Sequence, residues 1–369
     1  TRVNAQYYPD LIQNISERPE VVVNTFRDGK RFWKINQDEN MKLDAIVGNP
    51  PYQEMKGSET NNTSFATAVY PSFINIGIKL SAKYVSLITP SRWMTKTGQG
   101  ILDTWVEKMI RCNHFVLIHD YHDATDCFQG VEIKGGVSYF LYSTHHEGMC
   151  TYSITANNVT NSYVDYLDST GAGVVIRDVF AKNIIDKIRA KEGDYYRNNS
   201  FATIVGPVHL FDKDGILGTS WKEFVLDKDD KHYVKYYLNK RLVSSGEAWI
   251  KLEDIPKGID SLPLHKVYIS EAYGAGDSFP HQIIGVPFYG EPNSVCSETY
   301  LCIGYKQGNH FFTKEECINI VSYIKTKFFR YLVFTKKKTQ HAPSAVYQFV
   351  PLQDFTRPWT DADLYAKYG

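Results

Sequence analysis

The chain has 369 residues, 41 basic against 41 acidic side chains and 43% hydrophobic residues. That length supports two domains of ordinary size, and the balanced charge provides no global attraction for polyanions, so a nucleic-acid surface has to come from local segregation of charge. No apolar run approaches the roughly 18 residues of a membrane span, the start TRVNAQYYPD lacks a signal-like n-region, and the six cysteines form no C-x-x-C pair. A soluble, cytoplasmic protein with reduced thiols, no disulfide framework and no membrane contact is expected.

LDAIV (43–47) is a short apolar run closed by Gly48, the pattern of a strand covered on both faces. Residues 64–80, SFATAVYPSFINIGIKL, carry apolar side chains near helical spacing, and Pro71 is expected to bend or interrupt that helix. YVSLITP (84–90) reads as another buried strand, GILDTWVEKMIRC (100–112) as a helix, and HFVLIHD (114–120) as a strand. VEIKGGVSYFLYS (131–143) and CTYSIT (150–155) read as an antiparallel pair at a sheet edge, organised around Gly135-Gly136. The pattern breaks into small and polar residues around DYLDSTGAGVVIRDV, where the domain boundary is placed.

The second half differs in texture. One helix is expected over DVFAKNIIDKIRAK, then short aromatic and β-branched runs such as HKVYIS, VPFYG and SETYLCIGY, and a further helical segment over CINIVSYIKTKFFRYLVF. Between Val321 and His341 there are six basic residues (Lys325, Lys327, Arg330, Lys336, Lys337, Lys338) and no acidic one, interleaved with Phe328, Phe329, Tyr331 and Phe334. This is the local basic surface that the overall charge does not supply, and it is expected to contact DNA phosphates.

The stretch GNPPYQEM follows the first strand directly. In an open α/β sheet the carboxyl ends of the strands face the ligand crevice. Two prolines stiffen the turn, so the Asn49 side-chain oxygen and the Pro50 carbonyl can act as two fixed acceptors, and Tyr52 offers a stacking face. Two acceptors suit one primary amine. An exocyclic amine on a purine is a poor nucleophile because its lone pair is delocalised; hydrogen bonds from both N–H groups favour a pyramidal nitrogen and release that pair.

Asn49-Pro50-Pro51-Tyr52 after an apolar strand resembles the catalytic motif of the adenine-N6 DNA methyltransferases. The runs YVSLITPSRWM, DATDCFQGVEIKGGVSYFLY and CSETYLCIGY, with the segment from YIKTKFF to the end, resemble the large restriction-modification methylases, in which a methylase half precedes a target-recognition half. The resemblance implies an α/β fold: a partial Rossmann-like methyltransferase sheet with a C-terminal edge hairpin over residues 1–165, followed by a mixed α+β DNA target-recognition domain over 175–369. It implies that Asn49, Pro50, Pro51 and Tyr52 are catalytic, that Tyr52 and Phe128 (in CFQGV) stack on a flipped adenine, and that S-adenosylmethionine supplies the methyl. Double-stranded DNA is the implied partner, and an upstream nuclease or helicase domain fits the parent chain.

The family's cofactor loop, a Gly-rich turn followed about 20 residues later by an acidic residue, belongs before the catalytic motif. Neither feature is visible between Thr1 and Leu43, so the cofactor site is expected upstream of Thr1 and this piece alone is expected to bind the donor weakly or not at all. STGAG (169–173) and GAG (274–276) follow no convincing strand and are not taken as cofactor loops. Three other readings are set against the main one: a protein glutamine-N5 methyltransferase, which uses the same tetrapeptide; a non-catalytic DNA-specificity module; and a magnesium nuclease built from Glu132-Ile133-Lys134 with Asp120, Asp123 and Asp126. HDYHD, with His119, His122 and Asp123, lacks a third convergent ligand, and no metal site is expected.

Overall fold

The computed structural model describes residues 6–34, 41–55, 66–96, 100–228, 232–274, 282–305, 308–337 and 339–369. The chain divides into two compact units, residues 1–179 and 180–369.

The first unit is built on a six-stranded mixed sheet of order β1-β4-β6-β5-β7-β8, from β1 (Ala45–Gly48), β4 (Tyr84–Pro90), β5 (Phe115–Tyr121), β6 (Val137–Ser143), β7 (Cys150–Ala156) and β8 (Val159–Asp165). β1 runs parallel to β4, β6 runs antiparallel to both β4 and β5, and β7 runs parallel to β5. It follows that β1, β4, β5 and β7 all point their carboxyl ends the same way. Two helices that the periodicity did not single out, α1 (Leu11–Glu17) and α2 (Pro19–Arg27), precede the sheet. They pack Ile15, Val22 and Val23 against Ile76 and Leu80 of the segment that follows the motif.

Four expectations need correction. β1 is an edge strand, paired only with β4 among the described residues, and Val47 is 79% exposed, so it is not covered on both faces. Residues 66–68 are not helical: Ala66–Ala68 (β3) pairs with Gln53–Met55 (β2), and the helix α3 spans Tyr70–Lys79. Pro71 sits in its first turn, where a missing N–H leaves no hydrogen bond unmade, so it starts the helix instead of interrupting it. Gly135-Gly136 does not join two strands, because residues 131–134 are loop. Gly136 instead lets the chain enter β6 close against β5: a Cβ there would lie 2.2 Å from the Tyr121 carbonyl oxygen, and its φ is 82°.

Nor do residues 131–143 and 150–155 pair with each other as expected: β6 lies between β4 and β5, β7 runs parallel to β5, and the hairpin at the sheet edge is formed by β7 and β8. Asn157 and Asn158 make its two-residue turn, both at positive φ, the backbone that a tight hairpin demands and that Asn tolerates. The expected helix over 100–112 is α4, Asp103–Arg111, with Val106, Met109 and Ile110 buried. Residues 166–178 pack onto this unit: Leu167 and Val175 join its core and Val175 N–H donates to the Met94 carbonyl at 2.9 Å.

The second unit opens with α5 (Val179–Glu192) and the short α6 (Tyr195–Asn198). Two three-stranded sheets follow, one of order β10-β9-β13 and one of order β12-β11-β14. Their strands are β9 (Tyr233–Tyr237), β10 (Glu247–Lys251), β11 (Lys266–Ser270), β12 (Phe288–Gly290), β13 (Ser294–Cys296) and β14 (Tyr300–Ile303). They share one core that includes Val234, Tyr236, Ile250, Tyr268, Val295 and Cys302. The expected single C-terminal helix is two, α7 (Lys314–Ile324) and α8 (Lys327–Lys336), followed later by α9 (Asp361–Tyr368). Thr326 divides them: its hydroxyl accepts from Phe329 N–H at 3.1 Å and caps α8, satisfying a donor that a continuous helix would bond internally. Cysteines 150, 296, 302 and 317 are buried and all six are free thiols.

Candidate active site

Asn49, Pro50, Pro51 and Tyr52 leave the carboxyl end of β1. Asn49 is exposed and Pro50 buried, and among the described residues nothing takes up the Asn49 amide. Tyr52 is half-buried, with its ring against the core of the first unit, and its carbonyl accepts from Val69 N–H at 3.1 Å. That bond anchors the chain where the β2–β3 hairpin closes back on α3. The Tyr52 hydroxyl is buried without a partner among the described residues, an arrangement that costs about 1–3 kcal/mol. Burial, with the neighbouring Cys127 thiol, holds the phenol's pKa above its usual value, so the ring is neutral near pH 7.

Cys127 belongs to the turn that follows β5. Asp123 caps that turn, its carboxylate accepting from Thr125 N–H at 2.9 Å, and Phe128 N–H donates to the Ala124 carbonyl at 2.8 Å. Phe128 is half-buried. Because β1, β4 and β5 point the same way, this turn and the Asn-Pro-Pro-Tyr stretch emerge at one end of the sheet. Three strand spacings separate β1 from β5, about 14 Å at the sheet.

Under these loops lies a buried ion pair. Asp120, at the end of β5, is fully buried and takes two hydrogen bonds from Arg177, Nε to Oδ2 at 2.7 Å and Nη2 to Oδ1 at 2.9 Å. Ser91 Oγ donates to the same carboxylate at 2.6 Å and Tyr152 OH at 2.9 Å. Burial alone would raise the Asp120 pKa; the Arg177 guanidinium, with His122 and Ser91, more than offsets it and holds the carboxyl below its ordinary range. The network ties the ends of β4, β5 and β7 together beneath the candidate site.

The competing metal readings of this region are not supported by the geometry. His119 Nε2 lies 2.8 Å from Thr155 Oγ1 and its Nδ1 is 3.2 Å from Tyr139 OH, so both ring nitrogens are engaged, and the ring stacks on Tyr121 at 4.6 Å. Asp120 is occupied by Arg177, and Glu132-Ile133-Lys134 is loop, so no strand presents an acid beside a Glu-x-Lys. STGAG is a turn whose Gly173 N–H already donates to Asp168 at 2.9 Å, which leaves that amide unavailable to a phosphate. Ala275 and Gly276 of the second glycine cluster lie outside the described residues.

In the second unit the basic stretch is only partly on the surface. Lys325 and Lys327 are exposed and Arg330 is half-buried. Lys336 donates to Gln348, and Lys337 is buried with Nζ donating to the Tyr273 carbonyl at 2.9 Å. Lys338 lies outside the described residues. Phe328 and Phe329 are core side chains, so they present no face to a base. A cleft of ≈ 1270 Å³ in this unit has a polar lining of both charges, with Lys240 and Arg241 facing Glu247, Glu271 and Glu298, beside Asn239 and Gln340. Its residues come from several separate stretches between Val208 and His341, which is why no run in the sequence announced it.

Residues 1–128, which contain the Asn-Pro-Pro-Tyr stretch and the Phe128 turn, match the family model described as Eco57I restriction-modification methylase. Over those residues the chain is similar to the restriction-modification methylases. The chain is similar to an uncharacterized adenine-specific methylase of Mycoplasma pneumoniae, at 35% identity over 108 residues, 29% of this chain and 25% of that protein. The chain thus spans a quarter of the length of this curated relative. Among solved structures, the type IIG restriction endonuclease BpuSI aligns at 10% identity and a TM-score of 0.37, over 85% of this chain and 47% of its own. The type IIL restriction-modification enzyme MmeI, in complex with DNA, aligns at 8% and 0.33, over 82% and 44%. Among the described residues, no helix is long and apolar enough to cross a membrane.

A methylase needs a bound methyl donor. The described residues ahead of β1 form two helices, with no strand, Gly-rich turn and helix in succession, and no residue there is assigned to hold S-adenosylmethionine.

Proposed function

We propose that the complete protein is a site-specific DNA adenine-N6 methyltransferase of a restriction-modification system. The observation that carries this is Asn49-Pro50-Pro51-Tyr52 at the carboxyl end of β1, inside the stretch that matches the methylase family. The Asn49 side-chain oxygen and the Pro50 carbonyl accept the two N–H groups of the target amine, and a pair of fixed acceptors draws the nitrogen toward a pyramidal, nucleophilic form. Tyr52, neutral and packed, serves as a stacking face, worth roughly 1–3 kcal/mol for one base. Phe128, on the turn after β5 at the same end of the sheet as Tyr52, closes the opposite side of a base flipped out of the duplex. No ionisable base is required of these residues.

The methyl donor proposed for the complete enzyme is S-adenosylmethionine, held by residues outside those assigned here. Among the described residues β1 pairs only with β4 and Val47 is exposed, which leaves that edge available to strands carrying the donor site. The second unit is proposed as the DNA-recognition part. Lys240 and Arg241 in the cleft, with the exposed Lys325 and Lys327, take the phosphate contacts, while Asn239 and Gln340 have the donor–acceptor pairs that read base edges. A glutamine-amide methyltransferase would have no use for such a second unit.

Transfer of a labelled methyl group from S-adenosylmethionine to duplex DNA by the complete protein, with digestion to nucleosides, tests the proposal. N6-methyladenine is the expected product; label in protein glutamine, or none in DNA, refutes it.

A further inference from the structure

His209, Asp212 and Glu298, which no part of the methylase reading uses, bring one ligand atom each to within 4.8 Å of one another. His209 Nδ1 is 2.9 Å from Asp212 Oδ2 and 3.2 Å from Glu298 Oε2. Those separations approach the ~3.3 Å between ligand atoms that tetrahedral bonds of about 2.0–2.1 Å impose around zinc.

The three side chains are also oriented from behind. Glu298 Oε1 accepts from Thr219 N–H at 2.7 Å and from the Thr219 hydroxyl, leaving Oε2 directed at His209. Asp212 Oδ1 accepts from Gly215 N–H at 3.2 Å, leaving Oδ2 toward the same nitrogen. Each carboxylate thus uses one oxygen on a fixed support and presents the other, as metal-ligating carboxylates do. His209 itself stands at φ 61°, a left-handed backbone that a histidine adopts only at a cost of order 1–3 kcal/mol. The two carboxylates concentrate negative charge at one point, which a divalent ion would offset. His209 and Glu298 line the cleft of the second unit, so a fourth coordination position opens into it.

We propose that His209, Asp212 and Glu298 form a divalent transition-metal site, suited to zinc, with one open position facing the cleft. The ligands lie far apart in sequence, at 209–212 and 298, and no Cys/His spacing flags them. Among the described residues this is the one group of three such side chains that converges.

The test is calorimetric titration of the chelator-treated chain with zinc chloride alone, on the wild type and on His209→Asn and Glu298→Gln. Asn tolerates the left-handed backbone, so His209→Asn removes the imidazole without adding strain, and circular dichroism of the metal-free variants checks that they fold. One zinc per chain in the wild type, weakened at least tenfold in each folded variant, is the expected result, and cobalt(II) in place of zinc should give the visible bands of a tetrahedral site that vanish in both. Absence of stoichiometric binding by the wild type, or binding of undiminished affinity in either variant, overturns the proposal and leaves the three side chains as an ordinary ion pair.

Discussion

Asp120 and Arg177, 57 residues apart in the chain, meet in a two-point ion pair at the end of β5 with both side chains out of water. The pair is further bonded by Ser91 and Tyr152, so its geometry is fixed from four segments of the first unit. Removing one partner strands the other charge in a low-dielectric interior. Arg177→Ala and Asp120→Ala are each expected to lower unfolding free energy by about 3–5 kcal/mol in urea denaturation. Since the Asp120 pKa is depressed on folding, its contribution is fully present above the ordinary carboxylate value of about 3.9 and is lost as pH falls through the lower folded value. Acid unfolding of the wild type should be steep below that value, and the Asp120→Asn protein should lack this component; identical acid profiles would count against the assignment.

The catalytic proposal makes two substitutions diverge. Asn49→Ala in the complete protein should reduce methyl transfer by at least a hundredfold, in line with loss of one fixed acceptor, while DNA affinity in a gel-shift titration stays within about threefold. Asn49 is exposed and bonds nothing else described, so its loss should leave the unfolding midpoint unchanged. Retained turnover would exclude the role.

Tyr52 separates ring from hydroxyl. Tyr52→Phe deletes a buried donor without a partner and should be neutral or stabilising by up to about 1 kcal/mol, with transfer retained. Tyr52→Ala removes the stacking face and should raise the KM for DNA with an accompanying fall in kcat. If Phe is as damaging as Ala, the hydroxyl has a role that stacking does not describe.

For DNA contact, the structure separates lysines that look alike in sequence. Lys240→Ala with Arg241→Ala should flatten the plot of log affinity against log salt by roughly 1.8, about 0.9 for each phosphate no longer neutralised. Lys337→Ala should leave that slope unchanged and instead lower stability, because its ammonium is held against the Tyr273 carbonyl and burial pushes its pKa down. Equal slopes for wild type and the cleft double variant would remove the cleft from the interface.

Lys266 offers a stability test independent of function. It is fully buried in β11, donates to the Ser294 carbonyl at 3.2 Å, and burial lowers its pKa. A base with a lowered folded pKa binds fewer protons folded than unfolded between the two values. Stability should therefore rise with pH through that window, up to the ordinary lysine value of about 10.4. Lys266→Met, similar in volume, should be at least as stable at neutral pH and should lose the alkaline gain.

The strand order explains which of these features could be read from the chain. Continuous apolar runs such as YVSLITP and HFVLIHD mark β4 and β5 because a strand buried on both faces has no polar positions to spare, and the bounds nearly coincide with the residues in the sheet. β8 was not legible: VTNSYVD lies at the solvent edge, where burial imposes no apolar pattern, and only Asn157-Asn158 hints at the turn before it. The break at Thr326 was hidden because the apolar spacing carries on through it, while the capping bond that divides the helices is a single side-chain interaction.

By itself the sequence carries the chemistry proposed at one point, Asn49 to Tyr52, since a tetrapeptide of an amide, two prolines and a ring is local and its acceptors are a matter of covalent geometry. It also determined that the chain is α/β in its first half and mixed in its second, because periodicity is set by which face of an element must leave water. Only the tertiary structure decided that Arg177 neutralises Asp120, that Lys337 is buried while Lys240 and Arg241 line a cleft, and that His209, Asp212 and Glu298 converge. Asp120 and Arg177 are 57 positions apart, and Lys337 and Tyr273 are 64 apart. A meeting of such distant residues leaves no periodic trace in a single chain. It arises from the packing of elements whose own patterns are satisfied by many partners.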